Sequence, residues 1–225
     1  MTNTSNYNGI VAVFDIDGTT LNTMPKMRAD IKGAFSRLGH IVADEQIAAQ
    51  KGWYGLAGQL GINQEDYDRE FDKRKSWEQS LRDGEAPLFE DTLPCFELLL
   101  SGGATLAALT KSSPEYTRAK LDYHGLYQYF GDRVAVTDIK SPSKRAEALQ
   151  LINQIGKPNI KQAYFIGDRT EDVIVASDVQ SELYVPSQRV YLNRERKPVP
   201  QEVSLYPTIN SLGELPEVIN HELRR

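Results

Sequence analysis

Residues 9–19 read GIVAVFDIDGT, a glycine and five apolar residues running straight into Asp15-Ile16-Asp17-Gly18-Thr19. An apolar run of strand length that stops abruptly at polar residues marks a strand buried on both faces. Two carboxylates two apart on an extended tail point the same way, so Asp15 and Asp17 can address one site, and Gly18 lets the chain turn away behind them. Taken alone, the segment also fits an ordinary turn, because Asp and Gly are common turn residues.

The same pattern recurs further along the chain. ATLAAL (104–109) ends at Thr110 and AYFIG (163–167) ends at Asp168, while RVAVTD (133–138) and LYVP (183–186) are weaker strand candidates. Helical spacing predicts helices from Pro94 to Leu100, Pro114 to Tyr123 and Lys144 to Ile155, where Ala148, Leu151, Ile152 and Ile155 share one face. Strands alternating with helices imply parallel βαβ crossovers and a covered sheet. The expected fold class is α/β, a Rossmann-like doubly wound parallel sheet.

Residues 23–86 differ in kind. They are charged, poor in β-branched runs and hold both tryptophans, which predicts a small helical unit inserted after the first strand. Its expected helices are Lys26 to Leu38, Asp44 to Gln50, and Gln64 to Leu81 with Phe71 and Trp77 in its core. The expected domains are therefore 1–22 with 87–225, and 23–86. Residues 191–207, rich in Pro, Arg and Glu, are expected to be irregular and mostly exposed before a final short helix near Leu212 to Asn220.

The chain of 225 residues carries 26 Lys and Arg against 31 Asp and Glu, a formal charge of -5. That balance leaves no electrostatic footprint for nucleic acid or an anionic membrane. No apolar run is long enough to span a bilayer, the single Cys95 cannot form an internal disulfide, and the start lacks a basic-then-apolar leader. A soluble cytoplasmic protein with no obligate protein partner is expected.

A second acidic cluster, Gly167-Asp168-Arg169-Thr170-Glu171-Asp172, follows AYFIG as Asp15 follows GIVAVF. On one parallel sheet both clusters fall at the same edge, where α/β folds build ligand sites. Converging carboxylates need a cation, and oxygen ligands without cysteines or paired histidines select a hard one, Mg²⁺ where phosphate completes the shell.

With these segments in order, the chain resembles the haloacid dehalogenase superfamily, which carries a DxDGT motif, a Thr or Ser after the next motif strand, a downstream Lys and a terminal GDxxxD. The resemblance spans about residues 10–190. It implies Asp15 as nucleophile, Asp17 as general acid and base, Thr110 as a hydrogen-bond donor to the phosphoryl group, and a charge-neutralising lysine. Lys144 fits that lysine's spacing better than Lys140, although neither is followed by proline. The implied metal set is Asp15, Asp17 through its main-chain carbonyl, and Asp168, with Asp172 supporting it. The insert would be a C1-type helical cap, with Lys51, Gly52 and Trp53 on a loop reaching the leaving group; the same loop also reads as a plain helix-joining turn. Thr19 and Lys111 are further substrate-contact candidates. An acid at Asp17 favours phosphoryl transfer over dehalogenation. The implied activity is Mg²⁺-dependent hydrolysis of a small phosphorylated metabolite, as in phosphoglycolate-phosphatase-like members. The alternatives are a phosphomutase of the β-phosphoglucomutase type and a non-catalytic binding protein of the same fold.

Overall fold

Six parallel strands among the described residues, β1 (Ile10–Phe14), β2 (Thr105–Lys111), β3 (Val134–Thr137), β4 (Gln162–Gly167), β5 (Ser187–Leu192) and β6 (Thr208–Ile209), form one sheet. Their order is β3-β2-β1-β4-β5-β6. The computed structural model describes residues 6–49, 53–138, 141 and 143–224. The chain winds outward from β1 to β3, then returns to lay β4 on the other side of β1. The sheet's order thus reverses between β1 and β4, and it is beyond the carboxyl ends of strands at such a reversal that open α/β sheets build ligand sites.

Side chains alternate across each strand, so every strand feeds two cores. Ile10, Ala12 and Phe14 join Leu106, Ala108, Tyr164 and Ile166 on one face; Val11 and Val13 join Ala107, Leu109, Ala163 and Phe165 on the other. The first face is covered by α6 (Thr92–Ser101), α7 (Pro114–Tyr123), α8 (Tyr127–Phe130) and α11 (Leu215–Glu222), which bury Phe96, Leu121, Phe130 and Ile219 against it. Phe14 packs on Phe96 with ring centroids 4.8 Å apart. The second face is covered by α9 (Arg145–Ile155) and α10 (Thr170–Leu183) through Ala148, Leu151, Ile152, Val175 and Val179. This is the doubly wound α/β arrangement expected from the sequence.

The chain divides into two compact units, residues 1–21 with 88–225, and residues 22–87. The second is helical, with α1 (Met24–Arg37), α2 (Asp44–Ala49), α3 (Trp53–Gln59), α4 (Gln64–Phe71) and α5 (Trp77–Arg82). Its core gathers Ile31, Ala34, Phe35, Leu56 and Tyr67, and Tyr67 stands between Phe35 and Phe71 at centroid distances of 5.1 and 5.7 Å. Among the described residues no helix is long and apolar enough to cross a membrane.

Three expectations need correction. The helix from Gln64 to Leu81 is two helices: α4 ends at Phe71 with Asp72 as its cap, and Ser76 starts α5 by accepting from the Gln79 amide at 3.2 Å. A serine offers the backbone a fresh start and competes with helix continuation. The strand read at LYVP is the end of α10 and a turn, with Leu183 the last helical residue and Tyr184 left-handed at φ 55°. The strand follows at Ser187–Leu192, where only Val190 and Leu192 are buried and the apolar signal is weak. Residues 191–207 are irregular beyond Leu192 as expected, apart from a single turn at Gln201–Val203, but they are anchored where exposed chain was expected, since Val203 is buried and Asn193 ties its own turn through Lys197.

Candidate active site

Asp15 is the first residue after β1 and is still held in the sheet, its amide donating to the Ile166 carbonyl of β4 at 2.9 Å. The side chain is nearly closed off from solvent. Lys144, just before α9 and also buried, reaches it with Nζ 2.5 Å from Oδ1; the same ammonium lies 2.7 Å from Asp172 Oδ1 and 3.0 Å from the Leu109 carbonyl. One lysine therefore ties β1, β2 and α10 together. Burial works to lower the Lys144 pKa, but the carboxylates of Asp15 and Asp172 outweigh it and raise it above the ordinary lysine value.

Asp168 comes after β4, and α10 begins two residues later. Asp172, in the first turn of α10, sends Oδ2 back to accept from the Arg169 amide at 2.9 Å. Its two oxygens are thus engaged by a main-chain amide and by Lys144. Carboxylate oxygens of Asp15, Asp168 and Asp172 all lie within 4.8 Å of one another. Burial, with repulsion from Asp172, Asp168 and Asp17, pushes the Asp15 pKa well above the usual carboxylate range against the pull of Lys144. Burial, then repulsion from Asp172, pushes Asp168 up to about 7. This cluster holds more negative charge than its one ammonium offsets, and its all-oxygen donor set fits a hard divalent cation.

Glycines make the convergence sterically possible. Gly18 has φ +85°, and a Cβ there would stand 2.6 Å from Asp168 Oδ2. A Cβ on Gly167 would likewise collide with Asp172. In both places the close approach of a carboxylate to backbone requires the missing side chain.

Thr110, at the end of β2, is buried, and its hydroxyl has no hydrogen-bond partner among the described residues. Such a group is costly unless a ligand completes it. Thr19, a substrate-contact candidate, is buried too, and its hydroxyl donates to Asp168 Oδ1 at 3.3 Å. Lys111 lies 3.3 Å from Glu171 Oε2, partly buried. Of the loop 51–53, Lys51 and Gly52 lie outside the described residues, as does Lys140, and Trp53 is described only as the first residue of α3.

Asp17 is not part of the three-carboxylate cluster. Both of its oxygens accept from Lys120 Nζ, each at 2.8 Å. Sequence reasoning misses Lys120; the available signal is its place three residues after Thr117 and one before Leu121, on the buried face of α7. It misses Arg194 as well. Arg194 pairs with both oxygens of Asp91 at 2.9 Å, donates to the Thr19 carbonyl at 2.8 Å and stacks 3.8 Å over the Phe89 ring.

A family model described as haloacid dehalogenase-like hydrolase matches residues 11–179. No curated protein matches the chain. Among solved structures, the chain is similar to a HAD phosphatase from Thermococcus onnurineus at 24% identity, covering 93% of this chain and 97% of that one with a TM-score of 0.64. It is also similar to a predicted phosphoglycolate phosphatase from Haemophilus somnus at 18% identity, with 95% and 99% covered and a TM-score of 0.68. A haloacid dehalogenase-like family protein from Streptococcus pneumoniae shares 17% identity, with 93% and 97% covered and a TM-score of 0.70. At these identities the likeness is one of fold.

Proposed function

The chain belongs to the haloacid dehalogenase-like hydrolase family, and from that membership we propose that it is a Mg²⁺-dependent phosphatase that acts on a small phosphorylated metabolite through a phosphorylated Asp15. The observation that carries this reading is the buried Asp15 carboxylate set between the Lys144 ammonium and the Asp168 and Asp172 carboxylates.

Asp15 and Asp168, with the main-chain carbonyl of Asp17, would hold the cation, while Asp172 anchors the cluster from behind. When bound, the cation supplies positive charge to the cluster and to the phosphoryl oxygens. The remaining work falls to side chains. An Asp15 oxygen attacks phosphorus while Asp17 gives a proton to the departing oxygen. Water then attacks the same phosphorus, Asp17 takes its proton, and Asp15 leaves as a carboxylate. Lys144 neutralises charge on the nucleophile, and the unpartnered Thr110 hydroxyl donates to a phosphoryl oxygen. The names of the structural relatives, two of them phosphatases, agree with this chemistry. We assign residues 22–87 the role of the family's helical cap, supported by their place in the chain between β1 and α6.

The test is turnover of p-nitrophenyl phosphate by wild type and Asp15→Asn, each with Mg²⁺ and with a chelator. Wild-type activity should require the metal, and the variant should lose at least about three orders of magnitude. Metal-independent turnover, or turnover that survives Asp15→Asn, removes the proposal.

A further inference from the structure

Two buried lysines share out the two carboxylates of the first motif. Lys144 takes Asp15, and Lys120 takes Asp17 with both oxygens at 2.8 Å from a single Nζ. The Lys120 side chain is 2% exposed and that of Asp17 18%. The two partners differ in what holds them. Asp17 stands on a loop, beyond the end of β1, where Gly18 donates its amide to the Leu21 carbonyl at 2.8 Å and the chain doubles back. Lys120 stands on α7, a helix whose start is set by Pro114 and by the Ser113 hydroxyl accepting from the Tyr116 amide at 3.1 Å. A lysine on a helix thus holds a loop carboxylate by both oxygens, which restrains where the Asp17 carboxylate stands and the direction in which it points. Burying an ammonium in this way is costly and is not needed for a surface turn.

We infer that Lys120 is a positioning residue for Asp17 in the water-attack half of the reaction. This rests on the proposed roles of Asp15 and Asp17. In that half, the water oxygen bonds to phosphorus, and the bond from phosphorus to the Asp15 oxygen breaks with its electron pair returning to Asp15. One water proton passes to Asp17, which needs its carboxylate aimed at the water. Lys120 supplies that aim without touching substrate.

p-Nitrophenyl phosphate isolates the step, because nitrophenolate leaves without a proton and kcat/KM then reports formation of the phosphoenzyme alone. For Lys120→Met, kcat should fall roughly tenfold or more, with KM falling in parallel and kcat/KM within about twofold of wild type. The fraction of enzyme trapped as phosphoenzyme by acid quench should rise. The burst of nitrophenolate counts competent sites, so misfolded protein cannot imitate the result. Lys120→Arg, which keeps a charged donor pair, should recover most of kcat.

The outcomes separate the inference from its premise. If no phosphoenzyme forms in wild type, or Asp17→Asn leaves kcat unchanged, the roles of Asp15 or Asp17 fail and the inference falls with them. Should Asp17→Asn lower kcat while Lys120→Met lowers neither parameter, or lowers kcat and kcat/KM together, Lys120 is no positioning residue and Asp17 stands. The inference is also overturned if Lys120→Arg is as slow as Lys120→Met.

Discussion

Gly18 shows how much of the cluster depends on an absent side chain. Its φ is +85°, and a Cβ would press on Asp168 at 2.6 Å. Gly39 has nearly the same φ, +83°, yet a methyl group there would meet nothing within 4 Å. Alanine at either place carries a backbone cost of about 1 kcal/mol, but only Gly18→Ala should also displace the Asp168 carboxylate. Titration with Mg²⁺ followed by calorimetry should show affinity weakened roughly tenfold or more in Gly18→Ala and unchanged in Gly39→Ala, since about 1.4 kcal/mol corresponds to that factor. Equal affinities for both variants would refute a steric role for Gly18. At this scale Asp15 and Asp168 are legible in the sequence because each follows directly on an apolar strand, and Thr110 is legible because it closes one. Lys120 is not, because a lysine on a helix reads as a surface charge unless its buried neighbours Thr117 and Leu121 are counted with it.

Elements are legible in proportion to how purely apolar they are. β1, β2 and β4 are almost wholly buried, and each is visible as an uninterrupted run. β5 lies nearer the sheet's edge and buries little, so its first residues read as polar loop. The stretch after it reads as irregular and mostly exposed because it is anchored at scattered points, the buried Val203 and one charge cluster, and not by an apolar run. Arg194 joins Asp91, which also accepts from the Leu212 amide at 2.8 Å, so residues 194 and 212 are both fastened to the start of α6. Arg194→Met should therefore leave a partly buried Asp91 without its guanidinium and cost about 1–3 kcal/mol. Thermal melting and hydrogen exchange of residues 193–215 check this; unchanged exchange there would show that apolar packing alone holds the segment. Within the helical unit, Ser76→Ala should cost about 1 kcal/mol by removing the cap that starts α5. Chemical denaturation measures that loss, and a change under about 0.3 kcal/mol would mean the break between α4 and α5 has another cause.

Across the whole molecule, alternation of strand and helix announces an α/β sheet, but strand order also depends on contacts far apart in the chain, those of β1 with β4 above all. The pairing of Phe14 with Ile166 is what brings Asp15 and Asp168 together, and nothing local specifies it. This juxtaposition has a thermodynamic consequence for the metal-free protein. Asp15 and Asp168 are both raised in the folded state, Asp168 to about 7, whereas in the unfolded chain they ionise near about 4. Between those values the folded state holds protons that the unfolded state has released, so stability falls as pH rises through that window. Below about 4 the contribution is fully present, and above about 7 the Asp168 part is lost. Without metal, the melting temperature should therefore drop between pH 5 and pH 7.5, by about 2–4 °C for each kcal/mol at this chain length. Mg²⁺ binds the ionised cluster and should flatten or reverse the trend, because a ligand of the folded state stabilises it most where its site is deprotonated. Asp168→Asn should weaken both the pH trend and the Mg²⁺ response. A metal-free protein that grows more stable from pH 5 to 7.5 would mean that Lys144 already compensates the cluster, leaving it no electrostatic need for a cation.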